Sequence, residues 1–258
     1  MKNRINKLLA SKSKNILSVY FTAGFPKLND TALIAKSLEN AGVDFIELGI
    51  PFSDPVADGP VVQQSNKLAL DNGMNLKLLL EQVREMRKEV KFPIILMGYI
   101  NPVLQYGIEK FCKEAAVAGA DGVILPDLPL FEYETEYKNF FEQHDLKNIF
   151  LISPTTSEDR IRKIDNASSS FIYAVSASST TGVKDKFSPE QEDYFKRLQK
   201  MKLKNPFLIG FGISNNETFK KASEYSAGAI VGSAFIRLLS QAKDLPTEID
   251  GFVKSLVK

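Results

Sequence analysis

The chain has 258 residues, 44% of them hydrophobic and 25% charged, and 33 basic side chains against 31 acidic ones leave a net charge of +2. That balance, with the basic residues spread rather than clustered, excludes nucleic acid and anionic membrane surfaces as expected partners, and the apolar fraction excludes a disordered chain. One cysteine, Cys112, and one histidine, His144, exclude a disulfide and a Cys/His zinc site, and a reducing cytoplasm is the expected compartment.

Residues 1–15 carry Lys2, Arg4, Lys7, Lys12 and Lys14 around the short apolar patch Leu8-Leu9-Ala10. The patch is too brief for a signal-peptide core or a membrane span, and it predicts a short amphipathic helix that closes the bottom of a barrel. A first strand is expected over 16–22, then a helix over 31–40 behind the capping pair Asn29-Asp30, then a second strand over 45–48. A long connection, 51–75, precedes a helix over 76–89 with apolar residues at Leu76, Leu79, Leu80, Val83 and Met86. Further strands are expected over 94–97, 122–125, 149–152, 171–175, 207–209 and 229–231, each a short apolar run bounded by Gly, Pro, Asp or Ser. A second long connection, 176–189, follows the sixth of the eight strands. Asn40-Ala41-Gly42 and Ala118-Gly119-Ala120 place glycines where a helix would end in a left-handed cap.

Eight strands alternating with helices predict a (β/α)8 TIM barrel rather than an open doubly wound sheet, which would show an early glycine fingerprint. No linker or composition break divides the chain, so residues 1–258 read as one domain. Long loops in such a barrel lie on its active face, which directs attention to 51–75 and 176–189.

The second strand places Glu47 inside an otherwise apolar run, where desolvation raises a carboxyl toward the range of a general acid or base. A structural Glu accepting hydrogen bonds from loops is the alternative. The connection that follows, from Pro51 to Pro60, holds Asp54 and Asp58, which serve either a site or the cap of a following helix. Late in the chain three glycine turns recur: Thr180-Thr181-Gly182, Gly210-Phe211-Gly212-Ile213-Ser214 and Val231-Gly232-Ser233-Ala234. Turns after the seventh and eighth strands form the common phosphate site of such barrels. The residues alone therefore predict a cofactor-free barrel acting on a small phosphorylated molecule through carboxylates. No P-loop, metal-ligand cluster or Ser-His-Asp set is visible, and His144 falls in an outer helix.

The stretch from Ile46 through Glu47, Asp54 and Asp58 to Pro60 closely resembles the signature of the tryptophan synthase α subunit family. So do Phe21-Thr22-Ala23-Gly24-Phe25-Pro26, Met97-Gly98-Tyr99-Ile100-Asn101-Pro102, Pro126-Asp127-Leu128-Pro129 and the turns at Thr181 and Gly212. The resemblance implies a lyase splitting indole-3-glycerol phosphate into indole and glyceraldehyde 3-phosphate. By it, Glu47 protonates indole C3 and Asp58 meets the indole N–H, while the glycerol hydroxyl proton passes to Glu47 or to another group. It implies substrate contacts from Tyr20, Met97, Tyr99, Ile124, Tyr173, Thr181 and Phe211, and phosphate contacts from Gly182, Gly212, Gly232 and Ser233. It also implies no cofactor in this chain and a pyridoxal phosphate β subunit as partner, two α and two β chains together, met through Asp54, Pro55, Asn101 and Pro102. Ala177 departs from the pattern, since some relatives carry an arginine there. Another phosphate-binding barrel of amino-acid biosynthesis, or a catalytically silent activating subunit, are the competing expectations.

Overall fold

The computed structural model describes residues 3–176 and 186–258. Its strands are β1 (Ile16–Thr22), β2 (Phe45–Gly49), β3 (Ile94–Met97), β4 (Gly122–Ile124), β5 (Lys147–Ile149), β6 (Leu151–Ile152), β7 (Ile172–Val175), β8 (Phe207–Gly210) and β9 (Gly228–Val231). All pair in parallel, in the order β5-β4-β3-β2-β1-β9-β8-β7-β6. The outermost two, β5 and β6, are halves of one strand parted by Phe150, whose carbonyl accepts a hydrogen bond from the Tyr173 N–H at 2.9 Å. The sheet thus returns on itself as a (β/α)8 barrel, with the expected fifth strand beginning at Lys147 and broken where continuity was expected. Phe150 instead packs edge-on to Tyr133, ring centroids 5.1 Å apart.

Side chains alternate along each strand, so successive residues feed two different cores. Leu17, Val19, Phe21, Ile46 and Leu48 pack outward beneath the helices. Ile16, Phe45, Ile95, Ile124, Leu208 and Ile230 fill the barrel interior. Ile5 joins that interior cluster from the N-terminal helix Arg4–Ser11, with Leu8 and Leu9 packed beside it. The helix therefore stoppers the N-terminal end of the barrel, as the apolar patch predicts. Asn3 caps it by accepting from the Ile5 N–H, while its amide donates to the carbonyls of Asp121 at 2.8 Å and Asp145 at 2.7 Å. Buried Asp121 gathers Arg4 at 3.0 Å, Arg87 at 3.1 Å and the Ile94 N–H at 2.9 Å, tying helix and strands together at that end.

Gly42 and Gly119 adopt the left-handed conformations expected of helix ends, with φ of 93° and 101°. The connection after β2 is not all loop: it contains the helix Pro60–Asp71, with Pro60 in its first turn. Gly59 is the N-cap and no side chain caps this helix, so neither Asp54 nor Asp58 serves that purpose. His144 sits just past the helix Lys138–Gln143, half-buried. Among the described residues, no helix is long and apolar enough to cross a membrane, and no group of three or more His, Cys, Asp or Glu side chains is placed to hold a metal ion.

Candidate active site

At the C-terminal end of the barrel a cavity opens in two lobes of about 300 and 560 Å³, which share Tyr20, Asp58, Met97 and Phe211. The parity of the strands decides what faces it. In β2, Phe45 lies at the floor of the interior and Glu47 follows two residues later on the same face, at the level of Tyr20 in β1. Glu47 is 0% exposed, lines the larger lobe, and neither carboxyl oxygen has a protein hydrogen-bond partner among the described residues. Burial pushes its pKa up to about 8, opposed by the neighbouring Ser18 hydroxyl. A carboxyl in that setting carries its proton at neutral pH and is a ready donor.

Asp58 reaches the cavity from the rigid connection after β2, where Tyr99 holds it from two sides. The Tyr99 hydroxyl donates to Asp58 Oδ2 at 3.1 Å and accepts from the Ala57 N–H at 3.0 Å. The Tyr99 ring also lies 5.3 Å from that of Phe52, so the connection is pinned by stacking as well. Asp58 is only partly shielded; desolvation raises its pKa to about 6 and the Tyr99 hydrogen bond restrains the rise. The two acids are thus set apart, one protonated and one charged near pH 7. That is the division of labour that acid catalysis beside a developing cation requires.

Tyr20 and Tyr173 form walls between them, both with phenol pKa values raised by burial. Each ring fits because a glycine faces it from a neighbouring strand. A Cβ on Gly49 would stand 2.5 Å from the Tyr20 hydroxyl, and one on Gly210 would stand 2.2 Å from that of Tyr173. Any other residue at either position would collide with a ring.

The other end of the larger lobe is lined by glycine turns. Phe211 and Gly212 both turn left-handed after β8, with φ of 67° and 72°. For Phe211 that conformation costs about 1–2 kcal/mol. Ser176 holds it there, its hydroxyl donating to the Phe211 carbonyl at 2.8 Å. Across the lobe the helix Ser233–Gln241 begins at Gly232 with no side-chain cap. Its first N–H groups have no intrahelical acceptor and, with the helix dipole, favour a negative ligand. Gly212, Ser214, Gly232 and Ser233 all line this region.

Glu47, Asp58, Tyr20, Met97, Tyr99, Tyr173, Phe211, Gly212, Gly232 and Ser233 thus converge on one cavity. Ile124 does not join them. It pairs in register with Met97 but is fully buried in the interior cluster, so it packs beneath the ligand space instead of lining it. Thr181, Gly182 and Ala177 lie outside the described residues. Asp54 and Asn101 are exposed, Pro102 is half-buried and Pro55 is buried, so Pro55 offers its loop shape rather than its ring. Sequence reasoning missed Asn66, which is 2% exposed on the smaller lobe, and Ser153, Thr155 and Arg237. The adjacent polar pair Ser65-Asn66 on the buried face of a helix was the available signal for the first of these.

A family model described as tryptophan synthase alpha chain matches residues 6–254. The tryptophan synthase alpha chain of Flavobacterium psychrophilum is 55% identical over 239 residues, 93% of this chain and 94% of that protein. That of Parabacteroides distasonis is 52% identical over 254 residues, 98% and 99% of the two chains. Among solved structures, tryptophan synthase subunit alpha from Legionella pneumophila matches with a TM-score of 0.90 at 36% identity, over 100% of this chain and 98% of that one. Tryptophan synthase from M. tuberculosis in its aminoacrylate-bound form matches with a TM-score of 0.86 at 27% identity, over 99% and 98%.

Proposed function

The chain belongs to the tryptophan synthase alpha chain family, and from that premise we propose that it is the carbon–carbon lyase that cleaves indole-3-glycerol phosphate. The observation that carries the reading is the meeting of a buried, protonated Glu47, a charged Asp58 and an anion-binding turn in one cavity. Glu47 gives its proton to indole C3, which leaves the ring a cation with its charge spread toward N1. Asp58 accepts the N1–H hydrogen bond, which strengthens as that charge develops. The Glu47 carboxylate then takes the proton of the glycerol hydroxyl, the C–C bond breaks to an aldehyde, and its electron pair returns to the ring. Indole and glyceraldehyde 3-phosphate result, and Glu47 ends protonated as it began.

Met97, Tyr99, Tyr173 and Phe211 shape the space for the ring and the glycerol chain, with Tyr20 between the acids. Gly212, Gly232 and Ser233 receive the phosphate; the family resemblance adds Gly182 to the phosphate contacts and Thr181 to the substrate contacts, both outside the described residues. The whole 258-residue chain acts as one domain, in the cytoplasm, and holds no cofactor. A β subunit that carries pyridoxal phosphate docks on the strand-end loops bearing Asp54, Pro55, Asn101 and Pro102, two chains of each kind together. Three exposed apolar side chains on successive strand-end connections, Val56 at 86%, Leu104 at 45% and Phe131 at 71%, support a docking face there.

The test is indole release from indole-3-glycerol phosphate by the wild type and by Glu47→Gln. Turnover by the first and near silence of the second, with the fold retained, is the expected pair of results. Wild-type silence with and without β subunit would instead favour an activating subunit without chemistry of its own.

A further inference from the structure

The anion end of the cavity holds one charge whose purpose the fold does not explain. Arg237 lines the same lobe as Gly212, Ser214, Gly232 and Ser233. It stands four residues after Ser233 in the helix Ser233–Gln241, on the same helical face. Side chains on a helix lean toward its N-terminus, which carries the guanidinium back over the turn where the unpaired N–H groups begin. Arg237 is half-buried, and its guanidinium makes no hydrogen bond or ion pair among the described residues, while its backbone carbonyl accepts from the Ser240 hydroxyl at 2.7 Å. The other described cation of the lobe, Lys186, is held by Glu217 at 3.2 Å. A second group waits nearby: among the described residues the buried Ser214 hydroxyl has no hydrogen-bond partner, and it lies on the same wall. Against these stands the charged carboxylate of Asp58 on the same lobe, a like charge for a ligand that carries close to two negative charges.

We propose that Arg237 is a phosphate-binding residue of this site, the fixed positive charge that receives the phosphate monoester alongside the backbone N–H groups of Gly232 and Ser233. The assignment rests on the lyase reading for its substrate, but it concerns the anion alone and is measurable without turnover. Backbone N–H groups and a hydroxyl supply direction without net charge, whereas a guanidinium supplies both.

The experiment compares wild type, Arg237→Gln and Arg237→Lys by calorimetric titration with inorganic phosphate and with glyceraldehyde 3-phosphate, and by steady-state kinetics. Indole, which carries no charge, serves as the control ligand. Arg237→Gln is expected to weaken phosphate binding and raise KM about tenfold, the size of one lost charge-assisted hydrogen bond, while kcat and indole affinity stay within about twofold. The wild-type affinity falls as salt is added, and that dependence flattens in the Gln variant. Arg237→Lys, which keeps the charge, is expected to recover most of the affinity at low salt. Unchanged phosphate affinity in Arg237→Gln overturns the proposal. So does an equal loss of indole affinity, which would mark a general disturbance of the fold, or a Lys variant as weak as the Gln one. A wild type that binds phosphate through Arg237 yet releases no indole would leave this assignment standing and remove the lyase reading instead.

Discussion

Glu47 links chemistry to stability through one proton. Its pKa of about 8 in the folded chain stands above the ordinary 4.5, so between those values the native state keeps a proton that the unfolded chain has released. The stability tied to this group is complete at low pH and is lost as pH climbs from about 4.5 to about 8. Glu47→Gln removes the titration, so its stability relative to wild type should rise across that window by on the order of 1.4 kcal/mol per pH unit, read by denaturant melts at several pH values. A flat difference would mean that Glu47 is not desolvated in solution. On the proposed roles the same values predict a bell for kcat/KM, with activity expected to climb near pH 6 as Asp58 ionises and to fall near pH 8 as Glu47 loses its proton. Tyr99→Phe deletes the hydrogen bond that restrains the Asp58 pKa, so the acid limb should move to higher pH while the alkaline limb stays. Gly210→Ala should displace the Tyr173 ring and cost at least tenfold in kcat/KM, a loss of about 1.4 kcal/mol or more in transition-state binding; wild-type kinetics would show that the ring has room to move.

At the level of elements, the barrel was largely legible because strands buried on both faces leave a plain mark: short runs such as Ile94–Met97 with turn residues on either side. Glu47 was legible for the opposite reason, as a charge where that pattern forbids one. What stayed hidden depends on neighbours distant in sequence. The break at Phe150 follows from packing on Tyr133, and nothing local to residues 147–152 announces it. Gly49 reads as a plain strand end and Gly210 as part of a phosphate-binding turn, since their use as recesses for Tyr20 and Tyr173 exists only once β1, β2, β7 and β8 lie side by side. Ile124, which the resemblance sets against the substrate, is fully buried in the interior cluster, because a residue's place in a family motif does not say whether the space above it is open. The N-terminal helix is the element whose value is easiest to measure. Ile5→Ala removes the side chain that seals the interior and should cost about 2–5 kcal/mol in urea melts, with KM unchanged because the cavity lies at the other end. A loss within experimental error would mean that the helix rests loosely on the barrel.

For the molecule as a whole, the C-terminal face has two tasks at once, since the cavity mouth and the proposed docking loops share it. Residues 51–59 belong to both: Asp58 faces inward, while Val56, two positions earlier, stands out in solvent. A partner pressing on Val56 and Phe131 would therefore act on the same stiff segment that aims Asp58. The lyase rate is expected to rise on titration with β subunit, and Phe131→Asp should move the midpoint of that titration to higher β concentration without altering the rate of the isolated chain. An unchanged midpoint would take Phe131 out of the interface. The stopper formed by Asn3, Ile5 and the Arg4–Asp121–Arg87 cluster stands at the far pole from all of this. The protein therefore has one pole that sets how hot it can run and another that sets what it makes. A substitution in that stopper should register in a melting curve long before it registers in product.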